Sequence, residues 1–205
     1  MSFVKKLTLN YIIRTIMKHK IDRPKIIGFD MDGVILDHTQ NKLLLAKKLK
    51  LNIKKKETPT DIIKALIPSS DYPKYQFDLY DNPKFKYSCS LMNGTKQVLE
   101  KLIKNKTPYF LVSRRKKPIG ATKILKHHGL WPKYFNKTNT FFVLTPKDKN
   151  TKSKELGITH YFDDQHTILN ELVSVKNKFL FDNLDVFKNS PMRRVKSWKE
   201  ISKLI

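Results

Sequence analysis

The stretch that most constrains this chain is residues 25–37, KIIGFDMDGVILD. A short β-branched apolar run, Ile26-Ile27-Gly28-Phe29, leads directly into two carboxylates one residue apart, Asp30 and Asp32. A run of that length and kind reads as a buried strand. Side chains two apart on a strand share a face, so the two aspartates can converge on one small site. Acids at the carboxyl end of a buried strand sit where open α/β sheets place their ligands. Gly33 permits a sharp turn immediately afterwards, and a second apolar run, Val34-Ile35-Leu36, follows.

Downstream of Met92 the pattern becomes regular. Helices are predicted over 94–104, 118–128, 151–156, 167–175 and 197–204. Between them, strands are predicted over 108–112, ending at Ser113, and over 140–144. Two more are predicted over 159–162, ending in Asp163-Asp164, and over 178–181, ending at Asp182. Strands alternating with helices imply an α/β fold, a Rossmann-like parallel sheet with helices on both faces. Residues 38–87 show no clear strand. Helical patterns cover 43–51 and 61–67, and Pro59, Pro68, Pro73 and Pro83 punctuate the rest. The expected organisation is a core domain of 23–37 and 88–205 with a small helical insertion, 38–87, after the first strand. Residues 1–22 are basic, with Leu9, Ile12, Ile13, Ile16 and Met17 at helical spacing. That segment reads as a helix packed on the domain, a membrane-surface helix or a targeting peptide.

Composition narrows the function. A chain of 205 residues with 40% apolar content suits one domain with a modest insertion. The single cysteine, Cys89, excludes an internal disulfide framework and a cysteine-based zinc site, and it fits a reducing, cytoplasmic setting. No run approaches the roughly 18 apolar residues of a transmembrane segment. Lys+Arg number 42 against 18 Asp+Glu, a net charge of +24. Such a field attracts polyanions, so nucleic acid is a candidate partner. The excess is nearly all lysine and is spread along the chain, which an AT-rich coding sequence would also produce. Either origin predicts salt-dependent, non-specific nucleic-acid binding.

Three strand ends therefore carry polar groups: Asp30 and Asp32, Ser113, and Asp163 with Asp164. In a parallel sheet those ends lie along one edge. Several carboxylates gathered there repel one another unless a cation joins them, and hard oxygen ligands favour Mg²⁺. A phosphoryl group bound beside them needs donors and positive charge, which Ser113 and one of Lys147, Lys149, Lys152 and Lys154 can supply. The histidines at 127, 128, 160 and 166 do not form a metal-ligand pattern, and no glycine-rich phosphate loop is present.

These motifs resemble those of the haloacid dehalogenase-like (HAD) superfamily of phosphohydrolases, from about residue 25 to residue 183. Asp30-Met31-Asp32-Gly33-Val34 resembles its first motif, Leu111-Val112-Ser113 the second, the lysines of 147–154 the third, and Asp163-Asp164 the fourth. The segment KDKNTKSKELGITHYFDD points to Lys149 as the third-motif lysine, with Lys152 as the alternative. The resemblance implies a HAD-like fold with the insertion as a cap. It also implies a Mg²⁺-dependent phosphatase that hydrolyses a phosphate monoester through an aspartyl-phosphate. Asp30 would be the nucleophile and Asp32 the acid and base. Mg²⁺ would be held by Asp30, the Asp32 carbonyl, Asp163 and Asp164, and the phosphoryl oxygens by Ser113 and Lys149. The tail resembles deoxyribonucleotidase-like members, which suggests a small phosphorylated substrate such as a nucleotide. A polynucleotide end phosphatase, and an inactive relative that binds nucleic acid or protein, are the competing readings. Arg114-Arg115-Lys116-Lys117 beside Ser113 reads either as a solvated charge run or as a second anionic contact.

Overall fold

The structure is a computed structural model that describes residues 24–205; the expectation for 1–22 lies outside the described residues. The chain enters through β1 (Ile27–Phe29), turns, and forms the two-residue strand β2 (Leu36–Asp37). Four helices follow: α1 (Thr39–Lys48), α2 (Thr60–Leu66), α3 (Tyr72–Tyr80) and α4 (Pro83–Lys86). The chain returns through β3 (Ser90–Leu91), which pairs antiparallel with β2. It then alternates: α5 (Thr95–Lys104), β4 (Tyr109–Arg114), α6 (Pro118–His127), β5 (Thr140–Val143), α7 (Pro146–Glu155), β6 (His160–Asp163), α8 (His166–Glu171), β7 (Asn177–Phe181), β8 (Arg193–Val195) and α9 (Trp198–Leu204).

Six strands form one parallel sheet in the order β5-β4-β1-β6-β7-β8. This is the α/β fold expected from the alternation. Its strands are apolar on both sides because both faces are covered. Leu111, Phe162 and Phe179 pack on one face with Phe29 and Trp198, while their neighbours Val112, Tyr161 and Leu180 pack on the other with Ile168 and Leu172. On the first face Phe162 lies between Phe29 and Phe179, with ring centroids 5.6 and 4.9 Å away. Each such ring removed from water contributes about 1.5–3 kcal/mol. Gly28 is required by this packing: a Cβ there would lie 2.4 Å from the Tyr161 ring.

The helices between β2 and β3 bury a third, separate cluster of Leu45, Ile63, Ile67, Tyr75, Leu79 and Phe85. Three local differences from the sequence pattern have clear causes. The helix expected over 151–156 begins earlier, as α7, because Thr145 and Asp148 form a reciprocal capping box and Pro146 occupies the first turn. The helix expected over 167–175 stops at Glu171, where Leu172 leaves helical geometry. Strands β2, β3 and β8 have two or three residues, too few for an alternation to register.

Candidate active site

The parallel register places the polar strand ends together. Asp30 follows β1 directly, and its backbone N–H donates to the Phe162 carbonyl of β6 at 3.0 Å. Ser113 lies near the end of β4 on the other side of β1, and Asp163 ends β6. Asp30, Ser113, Asp163 and Asp164 are all buried. Carboxylate oxygens of Asp30, Asp163 and Asp164 lie within 4.8 Å of one another. Gly33, at φ +81°, makes room for this cluster, since a Cβ there would lie 2.4 Å from Asp164 Oδ2.

Lys149 reaches the cluster from α7. Its Nζ donates to Asp30 Oδ1 at 2.7 Å and to Asp163 Oδ2 at 2.6 Å, and the residue is 1% exposed. Lys152 instead pairs with Glu155 at the surface and lies over the Phe141 ring. Burial pulls the Lys149 ammonium towards losing its proton, but the Asp163 and Asp30 charges outweigh it and hold the pKa well above the ordinary lysine value. One lysine does not balance three carboxylates. Burial, together with the neighbouring negative charges, pushes Asp163 up to about 8 against the pull of Lys149. Burial and Asp30 push Asp164 up to about 6, against Lys42 and the Thr60 hydrogen bond. A hard-oxygen cluster short of positive charge is compatible with a divalent cation.

Asp32 is held separately. Its Oδ1 accepts from His38 Nε2 at 2.7 Å and from Arg115 Nη2 at 2.6 Å. Burial raises its pKa, but Arg115 and the His38 hydrogen bond outweigh that and leave the carboxyl below its usual range. Arg115 is thus neither a solvated charge nor open to a second anion through that nitrogen. Its guanidinium also lies over the Tyr80 ring of α3, 4.6 Å from the centroid. Arg114, Lys116 and Lys117 remain exposed.

The helical insertion reaches the same carboxylates. The Thr60 hydroxyl donates to Asp164 Oδ2 at 3.1 Å. Lys42, buried on α1, donates to the Thr58 carbonyl at 2.9 Å and to Thr60 Oγ1 at 3.1 Å. Burial lowers its pKa, with Asp164 and Asp32 opposing. Asp61 accepts from the backbone N–H of His166 and contacts its Nδ1, at 2.9 and 2.8 Å. A small cavity lined in part by Gly33, His38, Lys42, Asp164, Asp182 and Asn183 opens between the insertion and the sheet edge. His38, Lys42 and Thr60 carried no local signal, because each is defined by partners distant in sequence.

Solved structures share this fold. A predicted phosphatase from Clostridium acetobutylicum superposes with a TM-score of 0.63 at 16% identity, covering 88% of this chain and 97% of that one. The fold is that of the HAD-like hydrolases. A HAD-family hydrolase from Deinococcus radiodurans, solved with bound phosphate and sodium, gives a TM-score of 0.59 at 15% identity, covering 87% and 93% of the two chains. A putative haloacid dehalogenase-like hydrolase from Bacteroides fragilis gives 0.60 at 10% identity, covering 89% and 100%. No family model and no curated protein matches the sequence. The HAD-like fold therefore rests on shape; Asp30, Ser113 and Asp163 lie at strand ends of the sheet, and Lys149 reaches Asp30 and Asp163 from α7. Among the described residues, no helix is long and apolar enough to cross a membrane.

Proposed function

We propose that this chain is a Mg²⁺-dependent phosphatase that hydrolyses a phosphate monoester through an aspartyl-phosphate on Asp30. The observation that carries this reading is the double engagement of Lys149 with Asp30 and Asp163, inside a three-carboxylate cluster that still lacks positive charge. The names of the structural neighbours, a predicted phosphatase and a hydrolase with bound phosphate, support it as well.

In this reading an Asp30 oxygen attacks phosphorus as the ester P–O bond breaks, and the leaving oxygen takes a proton from Asp32. Water then attacks the aspartyl-phosphate, Asp32 accepts the proton of that water, and phosphate departs. Ser113 and Lys149 orient the phosphoryl oxygens. Asp30, Asp163, Asp164 and the Asp32 carbonyl would hold the ion. Mg²⁺ held there would neutralise the carboxylates and the developing phosphoryl charge. The helices of 38–87 serve as a cap over the site, in a core domain of 23–37 and 88–205. A nucleotide is the leading substrate class, from the likeness of the tail to deoxyribonucleotidase-like members. The buried, lone cysteine suits a cytoplasmic setting.

The test is phosphate release from a panel of esters, with Mg²⁺ or with chelator, comparing wild type with Asp30→Asn. Mg²⁺-dependent release that Asp30→Asn abolishes is the expected result, and no release from any ester by the folded protein overturns the reading. The exposed Arg114, Lys116 and Lys117 beside Ser113, with the +24 net charge, favour a second substrate class, a phosphorylated polynucleotide end. Mononucleotides compared with 3′-phosphorylated oligonucleotides separate the two.

A further inference from the structure

Asp32 is gripped in a way the hydrolysis scheme does not require. Both donors, His38 Nε2 and Arg115 Nη2, converge on its Oδ1. Among the described residues no hydrogen bond reaches its Oδ2. The side chains of His38 and Arg115 are 2% and 9% exposed, so water does little to weaken these contacts. A charge-assisted bond of this length is among the stronger hydrogen bonds in a protein. The grip comes from two places in the fold, the loop after β4 and the entry to the helical insertion.

Tyr80 joins those places. It is the last residue of α3, and its ring carries the Arg115 guanidinium at 4.6 Å on one side and meets the His38 ring edge-on at 5.4 Å. Two residues beyond Arg115, a second cation also meets the end of α3. Lys117 lies 3.7 Å from Asp81 and over the Phe77 ring at 5.1 Å. The loop after β4 therefore lies beside the end of α3, and the Arg115 guanidinium contacts both the Asp32 carboxylate and the Tyr80 ring.

We propose that Arg115 is a positioning residue for proton transfer by Asp32, fixing the carboxylate by Oδ1 and leaving Oδ2 for the reaction, and that Tyr80 makes this hold depend on the docked insertion. The inference rests on the phosphatase reading above. The step it serves relays one proton, taken from the P–OH of the bound monoanionic ester, through Asp32 Oδ2 to the ester oxygen, while the bond from that oxygen to phosphorus breaks and Asp30 bonds to phosphorus.

Two esters expose such a role. The para-nitrophenolate leaving group departs without a proton, whereas the alkoxide of glycerol 2-phosphate needs one. The ratio kcat/KM covers steps up to P–O cleavage, so slow release of phosphate from Asp30 does not mask the difference. With Mg²⁺ present, Arg115→Gln lowers kcat/KM for glycerol 2-phosphate about ten- to a hundredfold more than for para-nitrophenyl phosphate. Arg115→Lys recovers part of that loss. Tyr80→Ala shifts the ratio the same way by less, and Tyr80→Phe, which keeps the ring face, leaves it unchanged. Equal losses on the two esters, or none, overturn the proposal. If Arg115→Gln does not fold, by circular dichroism, the Tyr80 pair decides by the same criterion. Wild-type protein that hydrolyses neither ester overturns the phosphatase reading and this inference together. An active wild type with ester-independent variants overturns this inference alone.

Discussion

Two buried lysines, one on α7 and one in the helical insertion, belong to the same group of carboxylates, and they are held in different ways. Lys149, on the sheet side, touches two carboxylates directly and keeps its proton firmly. Lys42, on the insertion side, touches a carbonyl and a hydroxyl, and burial makes its ammonium easier to deprotonate. Burial alone therefore does not determine what a lysine does in this site; the charge of the atoms it touches does. On the sheet side Lys149 is part of a charge balance. On the insertion side Lys42 is joined to Asp164 through a neutral go-between, Thr60.

The largest expected effect follows from removing Lys149. Lys149→Met leaves Asp30 and Asp163 buried without their cation and destabilises the protein by about 3–5 kcal/mol in urea denaturation without divalent ions. Added Mg²⁺ restores part of it. A loss below about 1 kcal/mol would mean that the cluster is not charged as described.

Second comes a pH dependence. The unfolded carboxyls titrate near 3.9, whereas the folded Asp164 and Asp163 are raised to about 6 and about 8. A raised folded pKa means the native chain holds protons that the unfolded chain has released. Their contribution is therefore complete below about pH 4 and is lost as pH rises through about 6 and about 8. Urea midpoints of the chelated protein should fall over that window, and Mg²⁺ should flatten the fall. Asp32 works in the opposite sense: its lowered pKa contributes stability above the usual carboxylate range that is lost on acidification.

The insertion side gives the smaller effects. Lys42→Met removes two hydrogen bonds but also the burial of an ammonium, and the net destabilisation should stay below about 1.5 kcal/mol. A loss as large as that of Lys149→Met would erase the contrast between the two lysines. Thr60→Val removes the go-between. Combined with Lys42→Met in a double-mutant cycle, it should show a coupling of about 0.5–1 kcal/mol, and additive effects would separate Lys42 from Asp164.

Much of the sheet was legible because its strands are short apolar runs ending in acids, a local signal. The site was legible where the same signal ended, at Asp30, Ser113 and Asp163. Lys149 shows where legibility stops. The buried positions of α7 are Lys149 and Ser153, so its inward face carries no apolar stripe and periodicity alone missed the start of the helix. A likeness in spacing, not hydropathy, singled out the lysine. Arg115 stood out only as one of four adjacent cations. Its partners Asp32 and Tyr80 come from other parts of the chain, and no local pattern encodes that meeting.

The pairing of β2 with β3 has one more consequence. Leu36 lies opposite Leu91 and Asp37 opposite Ser90, so the chain leaves and rejoins the main body at adjacent points. The residues between them form a closed excursion whose two ends are already stapled together. Joining Asp37 to Ser90 by a tight turn would leave the six-strand order untouched. In evolutionary terms, this quarter of the chain can be exchanged or enlarged while the six-stranded sheet keeps its order.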